Sequence, residues 1–137
     1  MRGQPLAIAV LIGIMCVGRL AFAAVGYANP TGLMEYFGYL GATNLQTQYI
    51  IRLWAIRDMV LSVLVVLSPG STIKALLWAC IVVDATDFLS TQISRTDGLF
   101  NAASTWSLTL AIFVALVPEV AALALIYRRR LSPTAEI

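Results

Sequence analysis

Four apolar stretches of twenty-one to twenty-seven residues run through the chain at about 5–27, 47–67, 72–92 and 101–127. A helix rises about 1.5 Å per residue and a bilayer's hydrocarbon core is about 30 Å thick, so stretches of this length predict membrane-spanning helices. Composition agrees, because 60% of the residues are apolar or aromatic and only 12% charged, half the roughly 25% of charged residues in soluble domains. In water such a chain would expose large apolar patches. The expected fold is all-α: one domain over residues 1–137, an integral membrane four-helix bundle.

The connections set the topology. Arg2 ahead of the first apolar run resembles a signal peptide, but no clear small-x-small cleavage site precedes a soluble mature domain and further spans follow, so the run is expected to stay as a helix. Between the first and second stretches, Asn29-Pro30-Thr31-Gly32, Gly38 and Gly41 argue against a continuous helix. The aromatic portion at 33–40 is expected to form a short re-entrant or interfacial segment. Pro30 forbids glycosylation at Asn29. Ser68-Pro69-Gly70-Ser71 predicts a tight turn that makes spans two and three antiparallel neighbours, and 94–98 is a second polar turn. Pro118 predicts a kink in the last span, with Glu119 directly after it.

Basic residues orient the bundle. Arg2, Lys74 and Arg128-Arg129-Arg130 fall on one side and Arg95 on the other, which predicts cytoplasmic termini by the positive-inside rule. Tyr27, Tyr49, Trp106 and Tyr127 fall near the expected interfaces, where amphipathic rings anchor a helix. Met15, Met34 and Met59 read as gap fillers. Ala75/Ala79 and Ala111/Ala115 have the small-xxx-small spacing of close helix packing, in a chain where alanine is common.

Several chemistries are excluded. The chain has no histidine, which removes histidine-ligated haem, zinc and copper. Cys16 and Cys80 lie in separate apolar stretches without metal or redox spacing and are expected to be free, buried thiols. No cofactor and no metal site is expected. The net charge of +2, without a long basic cluster interleaved with aromatics, gives no reason to expect nucleic acid as a partner.

The informative residues are the charges inside the apolar stretches: Arg19, Arg52, Arg57, Asp58, Asp84, Asp87 and Glu119. Each costs about 2.5–3.5 kcal/mol near the centre of a span, so they are expected to pair with one another or to face water. Three are basic and four acidic, close to internal balance. In a hairpin about Pro69-Gly70, residues of equal depth have numbers summing to about 140. That places Arg52 level with Asp87 and Arg57 level with Asp84, two expected rungs of an ion-pair ladder. Asp84 and Asp87 share a helix face, while Arg57 and Asp58 point about 100° apart and are not expected to neutralise each other. Asp58 is expected to face span one or four, Arg19 to reach Asp87, and Glu119 to snorkel toward Arg128 or Lys74.

The segments Ile56-Arg57-Asp58-Met59-Val60-Leu61-Ser62 and Val83-Asp84-Ala85-Thr86-Asp87 resemble a family of small four-span membrane proteins known only as a domain of unknown function. The resemblance covers about residues 47–127, with Ser62 near the place of a family glycine, and is distantly similar to the DoxX-like four-span proteins of larger redox assemblies. It implies a four-helix membrane architecture and singles out Arg57, Asp58, Asp84 and Asp87, but it brings no activity with it.

Three roles suit such a network. It can fix helix register in a non-enzymatic accessory or interaction subunit, whose partners are the lipid bilayer and a larger membrane complex or a homo-oligomer. It can line a polar pocket of a small-molecule binder or transporter, formed by Arg52, Arg57, Asp84 and Asp87. Or Asp84 or Asp87 can serve as proton donor in a membrane isomerase or cyclase. The first is the expected function, with no catalytic residues assigned.

Overall fold

A computed structural model describes residues 5–38 and 44–131. Those residues form five helices and no strands: α1 (Leu6–Ala28), α2 (Pro30–Tyr36), α3 (Leu45–Leu67), α4 (Ile73–Thr96) and α5 (Ala102–Leu131). Arg2, Tyr39, Leu40, Gly41 and the polar tail lie outside the described residues, as does the side chain of Arg130. The four long helices start and stop near the expected spans, and α4 and α5 each run about one turn further.

Side-chain caps set several of these boundaries. The Asn44 carboxamide accepts from the Thr47 N–H and hydroxyl, both at 2.8 Å, and starts α3. Asn101 accepts from Ser104 N–H at 2.8 Å and starts α5. Asn29 accepts from Gly32 N–H at 3.0 Å, with Pro30 at the first helical position, so the Asn-Pro-Thr-Gly segment opens a helix. The expected interfacial piece is therefore a two-turn helix whose Leu33 and Met34 are buried. Gly38, at φ +75, ends it in the left-handed region and lets the Ser104 hydroxyl donate to the Gly38 carbonyl at 3.0 Å. Gly26 lets α2 and α3 approach α1, since a Cβ there would stand 2.9 Å from Leu33 Cδ2 and 3.2 Å from Trp54.

α1 is the central element. It packs extensively on α3 and α5, α5 packs on α4, and the sequential pair α3 and α4 meet only sparingly. The apolar core fills the half of the bundle near the α3–α4 turn, around Ile8, Ile12, Met15, Val65, Ile73, Leu77 and Ala122. Cys16 and Cys80 are buried and free. α1 and the 102–129 part of α5 are long and apolar enough to cross a membrane. α3 and α4, with their internal charges, are not among the helices that pass on length and composition. Pro118 lies inside α5, where its missing N–H leaves the Val114 carbonyl without its helical donor.

Candidate functional site

Above the apolar core, α1 presents Arg19 to three acidic side chains from three other helices. Each of the four Cα positions lies roughly 14–20 Å along its helix from the end that carries the α3–α4 turn, so the groups meet at one level. Arg19 Nε and Nη2 donate to Glu119 Oε1 at 2.9 and 2.7 Å. Nη2 also donates to Asp84 Oδ1 at 2.6 Å. Nη1 stands 3.2 Å from Asp58 Oδ1 as an ion pair, outside hydrogen-bonding direction. All four side chains are under 10% exposed, and that of Glu119 is fully buried. Only guanidinium offers a planar fork of donors wide enough to serve three carboxyl groups at once.

A second guanidinium joins the network from α3. Arg57 holds Asp87 in a two-point contact, Nη2 to Oδ2 at 2.6 Å and Nη1 to Oδ1 at 3.2 Å. Its Nε donates to Asp58 Oδ1 at 3.3 Å. Asp58 Oδ1 thus lies between both arginines, and six groups form one chain: Glu119 and Asp84, Arg19, Asp58, Arg57, Asp87. The two ends differ. Arg19 is sealed in the bundle, whereas the Arg57 and Asp87 side chains are 35% and 27% exposed.

These contacts correct the expected ladder. Arg57 pairs with Asp87, and Asp84 goes to Arg19, one turn away from the equal-depth assignment. Helical side chains lean toward their own N-terminus, so on antiparallel helices Arg57 and Asp87 lean toward each other across that turn. Arg19 meets Asp84 and not Asp87, because α1 approaches α4 only through the buried centre. Glu119 does not snorkel toward Arg128 or Lys74; it faces Arg19, and the Lys74 ammonium sits over the Tyr127 ring at 5.0 Å. Arg57 and the adjacent Asp58 do touch, since an arginine stem is long enough to bend back.

Arg52 leaves the set altogether. It is exposed and donates from Nε to the Tyr27 carbonyl at 3.3 Å, in the last turn of α1. Arg52→Ala is therefore expected to leave thermal unfolding in detergent unchanged, where a member of a buried network would shift it. Without Arg52 the network has two guanidiniums against four carboxyl groups, formally two negative charges in excess. The expectation of near balance fails for that reason. Asp84 Oδ2, Glu119 Oε2 and the Ser62 hydroxyl are buried without a hydrogen-bond partner among the described residues.

Among the described residues no group of histidine, cysteine, aspartate and glutamate side chains has the geometry to hold a metal ion. No family model, no curated protein and no solved structure matches the chain.

Proposed function

We propose that the protein is an integral membrane four-helix bundle, with both termini cytoplasmic, that acts as a non-enzymatic accessory or interaction subunit of a larger membrane assembly. Membrane residence is supported by the two apolar helices, whose most apolar windows are only 33% and 22% buried. The core helix of a soluble protein would hide that surface. The charges carried by α3 and α4 do not bar these helices from the bilayer, because they are met by partners within the bundle.

The observation that carries the interaction role is the half-open Arg57–Asp87 pair. It opens between α3 and α4 at mid-height, with exposed Leu53 and Val60 beside Arg57 on α3. On a face toward hydrocarbon an ion pair loses the hydration that would offset its cost, and a neighbouring protein surface restores polar contacts. Extracted in mild detergent, the protein should migrate as part of a larger complex, and Arg57→Ala should lower its abundance. A solitary monomer with normal levels of the alanine variant would overturn the reading.

A second reading, a small-molecule binder, draws on the three unpartnered buried oxygens of Asp84, Glu119 and Ser62. Native mass spectrometry of the purified protein separates the two, by a co-purifying protein in the first case and a small bound mass in the second.

A further inference from the structure

We infer that the partner at the α3–α4 groove is a second copy of this chain, related to the first by a twofold axis along the bundle; this rests on the interaction-subunit reading. The two lips of the groove differ in size. On α3 the exposed Leu53, Val60 and Leu64 stand beside Arg57, at spacings of four, three and seven residues. On α4 the exposed lip on the same side carries Thr86 and, two turns nearer the α3–α4 turn than Asp87, Ala79. Ala79 lies about 80° around the helix from Asp87, on the side away from buried Asp84. The opposite side of α4 faces α5, where Phe88 meets Phe113 with ring centroids 5.9 Å apart. The Thr86 hydroxyl donates to the Val83 carbonyl of its own helix at 2.7 Å and so asks nothing of a partner.

A twofold axis turns this asymmetry into complementarity. It lays the branched lip of each copy on the small lip of the other, where alanine permits close approach of two helices. The Ala75/Ala79 spacing, exposed and unused inside the bundle, then has a packing role. Charge follows the same rule. Each groove shows one cation and one anion, so two copies set Arg57 of each against Asp87 of the other with no net charge. A foreign protein would need to bring a matching pair of its own.

The test is native mass spectrometry of the full chain in lipid nanodiscs, comparing the parent with Ala79→Trp. Ala79 is exposed, so the bulky ring leaves the bundle intact and blocks only the groove. The parent is expected as a dimer and the variant as a monomer with unchanged helical content. Co-expression supplies an independent arm: Arg57→Asp and Asp87→Arg chains should each lose self-association and recover it when mixed. A dimer insensitive to Ala79→Trp would overturn the inference, as would a parent monomer carrying only lipid. A complex with a different protein at the groove would also overturn it while leaving the interaction-subunit reading in place.

Discussion

Replacing Arg19 by leucine is expected to abolish stable accumulation of the protein. The substitution fits the space of the stem but leaves buried Asp84 and Glu119 with no cation between them, and Asp58 with Arg57 alone. Removing one partner of a buried ion pair costs about 3–5 kcal/mol, a large share of the 5–15 kcal/mol that typically separates folded from unfolded states. Two carboxyl groups depend on this one cation and a third shares it with Arg57, so the effect should lie at the upper end. Arg19→Lys should recover only part of the loss, because a single ammonium cannot reproduce the fork that spans Glu119 and Asp84. Glu119→Gln is the informative contrast. It keeps an oxygen for Arg19 to donate to and removes one of the surplus negative charges, so its unfolding temperature should stay near that of the parent. Thermal unfolding in detergent, followed by tryptophan fluorescence and by yield from membranes, reads all three. Equal damage from Arg19→Leu and Glu119→Gln would show that the cluster needs every charge it has.

The second large effect is expected below the cluster. Leu77 is fully buried in the apolar half of the bundle, among Ile8, Ile12, Ile73 and Val65. Leu77→Ala removes methyl groups from a site that four helices hold in place, and a core truncation of this kind costs about 2–5 kcal/mol. Leu89, on the same helix and 58% exposed, supplies the control: Leu89→Ala should leave the unfolding temperature nearly unchanged. Similar losses at both positions would mean that the face carrying Leu89 is covered by another protein.

The helices were legible because their signal is long: four apolar runs, broken by turn formers at 29–32, 68–71 and 94–98. The participation of Arg57, Asp58, Asp84 and Asp87 was legible too, since charge inside such a run demands a partner. Which partner was not. Equal-depth arithmetic treats side chains as points on the helix axis, and the lean of Arg57 and Asp87 shifts the pairing by a turn. Arg19 and Glu119 pair across 100 residues of sequence, and no local pattern encodes that. The hairpin turn suggested close packing of α3 on α4, yet α1 is the helix that α3 mainly packs against. The asparagine caps at 44 and 101 carry a readable signal, Asn three residues before Thr or Ser, and reading them would have set the starts of α3 and α5 more closely.

The placement of Arg19 on the first long helix has a consequence for how the chain is made. Synthesis delivers the cation before any of the acids that hold it, and the acids follow one helix at a time: Asp58, then Asp84, then Glu119. In a chain inserted into a membrane as proposed, α1 would carry an uncompensated positive group through the insertion machinery, and each new helix would neutralise part of it. Closure waits for α5, the helix that brings the fully buried Glu119. Biogenesis is thereby ordered by electrostatics: nascent chains stalled before residue 119 hold Arg19 short of its last partner and should be the forms that quality control removes.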